Sequence, residues 1–299
     1  MTAPPAAAHA SRPSVATAVM IALLCVVWSS TWWAIRVCLE EQPPLSSCAA
    51  RFLIAGAAMA CISPWLRRRE RAPAPRAWLW VVCGLSNFGA GYGVLYLAET
   101  VVPSGIAAVL WAIFPLLMAA SATCFLGERL RLAQWLGFAI SFAGIVVVFS
   151  GDLGGVDDRN VGYAWLLLLS PLIAAFGTTL VKKYGSDASS VVLNRNGMLV
   201  GAALLTAWAF VREDPLAMAW SPRAIAATLY LALLGTTMTF GVYFWLLRTA
   251  PASMLSLINY VIPVMAMAFA ALVGDGQHGP AAWTGAALVV LGVALVVRR

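Results

Sequence analysis

Long apolar runs separated by short polar segments dominate the pattern along this chain. Ten runs are each close to the roughly 20 residues that a helix needs to cross a bilayer. They cover residues 15–35, 47–66, 77–97, 104–126, 132–150, 162–181, 189–211, 222–247, 252–273 and 281–297. The pattern predicts an all-α polytopic membrane protein with about ten transmembrane helices.

The fourth apolar run recurs 148 residues later as the ninth. Pro103 and Pro115 of the fourth run correspond to Pro251 and Pro263 of the ninth. Further matches of tryptophan and glycine positions share the same offset, although each is weak on its own. Self-similarity at a fixed offset indicates duplicated structural units. We therefore predict that the chain consists of two related halves with five helices each.

Lysine and arginine are distributed unequally between the two sides of the predicted membrane. With the N-terminus inside, 13 of the 19 basic residues fall in cytoplasmic segments and four in external ones, as the positive-inside rule expects. Both termini are then cytoplasmic, and the two repeats are inverted because each has an odd number of helices. The predicted organisation is a disordered cytoplasmic tail at residues 1–14, a first five-helix repeat at 15–150, an external linker at 151–161 and a second five-helix repeat at 162–299.

The composition changes this picture little. The chain is 62% hydrophobic and 10% charged, against about 25% charged in a soluble domain. The expected partners are therefore the lipid bilayer and a small-molecule substrate. The net charge of +7 follows from the topology, so no nucleic-acid partner is expected. The sequence is compatible with a monomer and leaves the oligomeric state open.

Groups for catalysis or metal binding are missing at membrane depth. The two histidines, His9 and His278, fall in a tail and a loop, and every Asp and Glu falls in a loop or at a helix end. The cysteines form no CxxC motif. We therefore expect no enzyme activity, no cofactor and no metal. Cys38 and Cys48 flank the first external loop, and their pairing stays open because sequence does not set disulfide geometry.

Aromatic and amide side chains at membrane depth are the candidates for substrate binding. Trp111 and Asn259 are equivalent under the 148-residue offset, and each lies one turn before a proline, Pro115 or Pro263. These two prolines are candidate hinges, since proline bends helices. The predicted substrate-binding residues are Trp28, Asn87, Tyr92, Trp111, Tyr243 and Asn259. For the tyrosine at 92 and the two asparagines, interhelical packing or hydrogen bonding is the alternative role.

Two arginines lie within predicted spans, Arg51 and Arg195, each near the start of the second helix of its repeat. A charge inside the membrane indicates function by default, but a long side chain near a helix end can snorkel to the interface. The sequence favours snorkelling or structural charge pairing. Inversion puts Arg51 near the outside and Arg195 near the inside.

Several motifs together resemble the drug/metabolite transporter superfamily, and within it the EamA-type ten-helix exporters. They are residues 28–36 (WSSTWWAIR), the Arg51-Phe52 pair, and Phe114-Pro115 followed by a Gly-Glu-Arg turn at 127–129. The resemblance implies export of amino acids, metabolites or drugs across a bacterial inner membrane by alternating access. The second repeat departs from it, with Gly-Asp-Gly at 274–276 where many relatives carry another Gly-Glu-Arg-like turn.

The predicted cavity residues are aromatic or neutral-polar, which suits an amphipathic compound. We expect a secondary transporter in the bacterial inner (cytoplasmic) membrane that exports small neutral or zwitterionic metabolites, namely amino acids or small aromatic or drug-like compounds. The main alternative is a nucleotide-sugar or phosphorylated-metabolite antiporter of the same fold, which would need buried Lys or Arg for its phosphates. A polytopic membrane enzyme is the weaker alternative.

Overall fold

The computed structural model describes residues 15–102, 104–151, 161–272 and 279–298. Within this part of the chain we number ten long helices, one for each predicted span, and find no β-strand. They are α1 (Val15–Leu39), α2 (Pro44–Glu70), α3 (Ala77–Glu99), α4 (Ser104–Trp111 and Phe114–Phe125), α5 (Leu132–Val148), α6 (Val161–Gly185), α7 (Ser190–Arg212), α8 (Pro222–Thr249), α9 (Ala252–Ser256 and Ile258–Leu272) and α10 (Pro280–Val297).

The helices have the length and surface of membrane spans. Seven of those in the described residues, α1, α2, α3, α4, α6, α8 and α10, are long and apolar enough to cross a bilayer, and α5 and α9 are shorter apolar helices. Large side chains such as Trp33, Trp165 and Phe210 are exposed on the surface of the bundle. Exposed apolar surface of this extent indicates contact with lipid. The predicted all-α polytopic fold class is confirmed.

Two of the helices contain a π-helical segment near their middle. These segments are Gly84–Ala90 in α3 and Leu233–Met238 in α8. Moving the first by 148 residues gives 232–238, so the two segments are equivalent in the two repeats. π-Helical turns are rare and occur mostly at functional sites. The apolar runs predicted uninterrupted helices here, because apolar periodicity does not distinguish a π turn from an α turn.

Glycine pairs allow α5 and α10 to pack closely. A Cβ atom at Gly137 would lie 2.6 Å from the Gly292 carbonyl oxygen, and one at Gly144 would lie 2.7 Å from the Gly285 carbonyl oxygen. The 148-residue offset relates Gly137 to Gly285 and Gly144 to Gly292. Exchanging the repeats therefore maps one contact onto the other, as a twofold relation requires. Small residues permit this close approach of membrane helices.

Reciprocal caps join α2 and α7. Glu70, the last residue of α2, accepts hydrogen bonds from the Ser190 backbone nitrogen (2.8 Å) and hydroxyl (2.7 Å) at the start of α7. Glu213, which follows α7, accepts bonds from the Ser46 nitrogen (2.9 Å) and hydroxyl (2.8 Å) at the start of α2. These caps relate Ser46 to Ser190, an offset of 144 residues. The single 148-residue register of the sequence analysis therefore does not extend to this helix pair.

Some sequence predictions fall outside the described residues. They concern the tail at residues 1–14, the linker at 152–160, and the turn at 274–276. Cys38 and Cys48 are described, and both are buried free thiols. The disulfide that the sequence left open is therefore absent from the structure.

Candidate functional site

A central cavity of about 90 Å³ lies between α1, α2, α3, α4, α6, α8 and α9. The six residues predicted to bind substrate all line it: Trp28, Asn87, Tyr92, Trp111, Tyr243 and Asn259. Their neighbours in the wall include Thr31, Trp32, Arg51, Phe114, Thr178 and Phe240. Among the described residues that line the cavity, none is Asp or Glu. The structure brings the six residues together, and their role in substrate binding stays a prediction.

Aromatic side chains form one wall of the cavity. The Phe240 ring of α8 meets the Trp28 ring edge to face, with centroids 5.4 Å apart, and Tyr243 lies 5.6 Å from Trp28. The indole nitrogen of Trp28 and the hydroxyl of Tyr243 are buried and have no hydrogen-bond partner within the described structure. An unpaired buried donor costs about 1–3 kcal/mol. Two unpaired donors on cavity-lining residues therefore suit a ligand that carries acceptor atoms.

Trp111 and Asn259 contact each other across the boundary between the repeats. The Trp111 Nε1 group donates a hydrogen bond to Asn259 Oδ1 at 3.3 Å. The Trp111 indole also stacks on Phe114, with centroids 6.0 Å apart and 2° between the planes. Residues equivalent in two repeats can touch only near the axis that relates the repeats. The cavity therefore lies at the interface of the two halves, the usual position of transporter binding sites.

Asn87 has the structural contacts that the sequence analysis held open as its alternative role. Its Oδ1 atom accepts a hydrogen bond from Thr178 Oγ1 of α6 at 2.9 Å, and its Nδ2 group donates to Ser86 Oγ at 3.1 Å. Asn87 and Ser86 belong to the π-helical segment of α3. The amide thus links α3 to α6 while its residue lines the cavity.

Arg51 is buried in the cavity wall and does not reach the surface of the helix bundle. The residue is 1% exposed, and its Nε, Nη1 and Nη2 atoms donate to Thr236 Oγ1 (2.8 Å), the Tyr96 hydroxyl (3.2 Å) and the Gly235 carbonyl oxygen (3.2 Å). The guanidinium carbon lies 5.0 Å from the centre of the Tyr92 ring. The snorkelling expected for Arg51 is therefore wrong, because α3 and the π-helical segment of α8 enclose the side chain.

Arg195 is the counterpart of Arg51. Arg51 lies five residues after Ser46 in α2, and Arg195 lies five residues after the equivalent Ser190 in α7. It is half-buried and absent from the cavity lining. Its Nε atom donates to Asn196 Oδ1 at 3.0 Å, and its Nη1 atom donates to Ser63 Oγ at 3.4 Å. Within the described residues neither arginine forms an ion pair with a carboxylate. The charge pairing considered for them is not seen there.

The two candidate hinge prolines have different surroundings. Pro263 lies inside the second segment of α9 and lines the cavity. Pro115 is buried at the start of the second segment of α4 and is not among the residues that line the cavity. α4 is interrupted after Trp111, and α9 is interrupted after Ser256. Both helices are therefore broken beside the cavity.

Residues 16–150 and 161–298 each match the EamA-like transporter family. The chain belongs to this family. Membership confirms the resemblance carried by the motifs around Trp28, Arg51 and Pro115, and it makes the protein a multi-pass membrane transporter. The cavity between the repeats of this EamA-like transporter is therefore its candidate substrate site.

Relatives of this EamA-like transporter align over nearly its whole length. It is 32% identical over 278 residues to the Escherichia coli (strain K12) protein called uncharacterized inner membrane transporter YedA, covering 91% of this chain and 88% of the relative. It is 27% identical over 281 residues to a probable terminal-alkyne amino-acid exporter of Streptantibioticus cattleyicolor, covering 93% and 92%. A crystal structure 22% identical in sequence matches with a TM-score of 0.78 over 93% of this chain and 95% of that one, which shows the shared fold alone.

Proposed function

We propose that this protein exports a small neutral or zwitterionic metabolite, such as an amino acid or a small aromatic or drug-like compound. The observation that carries the proposal is the cavity at the repeat interface, where aromatic rings, neutral polar groups and one basic residue, Arg51, surround about 90 Å³ of space. Aromatic faces hold apolar groups, and the polar atoms orient a polar end. Pockets for drug-sized ligands measure roughly 300–1,000 Å³, so the smaller volume favours a small substrate. A relative named as a probable amino-acid exporter supports the same class.

Alternating access is the mechanism that this architecture supports. In inverted repeats, exchanging the conformations of the two halves turns an opening on one side into an opening on the other. The elements suited to bend are those already irregular beside the cavity, namely the breaks in α4 and α9 and the π-helical segments of α3 and α8. The cavity itself lies between these elements, so their movement would change access to it.

The buried position of Arg51 in the cavity wall favours the alternative function, an antiporter of nucleotide sugars or phosphorylated metabolites. A buried arginine is a group that binds phosphate. However, Arg51 is the single basic residue among the described residues that line the cavity. One guanidinium balances one negative charge, whereas a phosphorylated sugar carries about two and a nucleotide sugar also two. The charge balance of the cavity therefore favours a substrate with at most one negative group.

Transport by purified protein in proteoliposomes tests the proposal. A panel of amino acids, aromatic amines and phosphorylated sugars would be compared with and without a pH gradient, which also reports the coupling. We expect uptake of one or more amino acids or aromatic compounds. Transport of phosphorylated sugars, with no transport of the other compounds, would support the alternative function as an antiporter of phosphorylated metabolites.

We also propose an inner-membrane location with both termini and residues 67–76 in the cytoplasm. The excess of basic residues on that side supports this orientation. In intact cells of a cysteine-free variant, we expect an impermeant thiol reagent to modify Ala217→Cys, between α7 and α8, but to modify Ala74→Cys only after permeabilisation. Both positions are solvent-exposed. Modification of Ala74→Cys in intact cells would show that residues 67–76 lie outside, and the proposed orientation would be reversed.

Pro115→Ala and Pro263→Ala are each expected to slow transport more than they lower the yield of folded protein. Alanine restores a backbone hydrogen-bond donor and straightens a helix that proline bends. The comparison is between initial transport rate and the amount of monodisperse protein. Pro64→Ala is the control, because Pro64 lies inside α2 with an exposed side chain and does not line the cavity. Wild-type rates in both hinge variants would remove these prolines from the mechanism.

A further inference from the structure

Arg51 is a buried charge that forms no ion pair among the described residues. The three acceptors of its hydrogen bonds, on Thr236, Tyr96 and Gly235, are all neutral. Glu99, at the end of α3, is near enough to attract Arg51 electrostatically but forms no ion pair with it. Burying an ion without a partner is costly, and membrane proteins retain such charges where they act on a ligand.

The guanidinium group also has hydrogen-bonding capacity to spare. It carries five N–H donors, and the structure assigns one hydrogen bond to each of its three nitrogens. The Tyr92 hydroxyl is a further hydrogen-bond partner of Arg51, so at least one of the five N–H groups has no partner among the described residues. A charged guanidinium N–H is a strong donor to a carboxylate oxygen.

The surroundings hold this group in one orientation at the cavity. Thr236 fixes Nε from the π-helical segment of α8, and the Tyr92 ring lies against the guanidinium carbon. Trp28 and Tyr243, on the aromatic wall of the same cavity, contribute the two unpaired buried donors. The indole N–H of Trp28 can only donate, the Tyr243 hydroxyl can donate or accept, and the guanidinium of Arg51 donates and carries positive charge. Together these groups suit a ligand whose polar end accepts hydrogen bonds and carries negative charge.

We propose that Arg51 binds the carboxylate of the transported compound, so that the substrates are amino acids or other small monocarboxylates and not amines or uncharged compounds. This inference rests on the proposed function, because it requires the cavity to be the substrate site. Arg51 then acts as a specificity-determining residue. Its repeat counterpart Arg195, which lies outside the cavity, has no such role. An ammonium group of an amino acid would lie against the aromatic faces, which attract cations.

Two probes that differ at one group, L-phenylalanine and L-phenylalanine amide, test the proposal on the full-length protein in nanodiscs, and phenyl phosphate serves as a phosphate probe. Each would be titrated while the tryptophan fluorescence of the protein is followed. We expect the wild type to bind phenylalanine about 10- to 100-fold more tightly than its amide, the range for charge-assisted hydrogen bonds. Arg51→Gln should abolish this preference, and Arg51→Lys should keep part of it because the charge remains.

Arg195→Gln is the matched control and should keep the full preference for phenylalanine. A merely structural Arg51 would alter the yield or thermal stability of the variants but not the ratio between the two ligands. An unchanged ratio in Arg51→Gln would overturn the carboxylate subsite while leaving the proposed export of amphipathic compounds intact. Tighter, Arg51-dependent binding of phenyl phosphate would overturn it in favour of phosphorylated substrates. Binding of no probe, with no transport of any amino acid or aromatic compound, would overturn the proposed function and this inference with it.

Discussion

Replacing Trp111 with alanine is expected to lower transport by about 10- to 100-fold while the protein stays folded in the membrane. The substitution removes the indole that stacks on Phe114 and donates to Asn259 at the repeat interface. A loss of about 1.4–2.8 kcal/mol in binding corresponds to this factor, and it lies within the range for a buried tryptophan at a binding centre. The measurement is the initial rate in proteoliposomes at substrate concentrations below saturation.

Trp165→Ala is the control for Trp111→Ala. Trp165 lies in α6 with its side chain 69% exposed on the surface of the bundle, and it does not line the cavity. Its truncation removes a comparable amount of apolar surface but no contact with substrate. We expect nearly wild-type transport. Equal losses in the two variants, or no loss in Trp111→Ala, would contradict the assignment of Trp111 to the substrate site.

Gly285→Leu is expected to abolish the yield of folded protein. A Cβ atom at this position would lie 2.5 Å from the Val148 nitrogen and 2.6 Å from the Gly144 carbonyl oxygen. Leucine favours a helix over glycine by up to about 1 kcal/mol, but overpacking costs about 1–3 kcal/mol even where side chains can move. Here the opposing atoms are backbone atoms of α5, which cannot rotate away. The clash therefore outweighs the gain, and the measurement is the monodisperse fraction after extraction in mild detergent.

Gly162→Leu makes the same chemical change where space is open. Gly162 lies near the start of α6, and no atom falls within 4 Å of a Cβ built there. With no clash to oppose it, the higher helix propensity of leucine should leave the midpoint of thermal unfolding unchanged or raise it. A normal yield from Gly285→Leu would show that α5 and α10 do not pack as closely as the structure has them.

Much of the architecture could be predicted from residues taken in order along the chain. Each of the ten apolar runs became one helix, because the need to hydrogen-bond the backbone within lipid leaves a long apolar segment little alternative to a helix. The correspondence of Trp111 with Asn259 was visible as a constant offset, and the structure has these two residues in contact. The six candidate cavity residues were chosen for polarity and aromatic character at membrane depth, and the same residues line the cavity.

The tertiary structure decided the features that depend on more than one helix. Arg51 lies near the start of α2, where a single helix would let it snorkel, but Tyr96 of α3 and Thr236 of α8 enclose it. The sequence already placed Arg51 and Arg195 near the start of the second helix of each repeat, and the reciprocal caps at Ser46 and Ser190 gave the register that makes them equivalent. Hydropathy is a property of one segment, whereas the burial of a side chain depends on which neighbours pack over it.

The sequence by itself determined the membrane-spanning class, the number of helices and the chemical character of the cavity, since these follow from local polarity and a repeated pattern. The tertiary structure alone decided the π-helical segments, the glycine contacts of α5 with α10, and the burial of Arg51. Each of these results from close packing between segments far apart in the chain. The energy of such contacts depends on distances of a few ångströms, and a linear pattern of residue types carries no information at that scale.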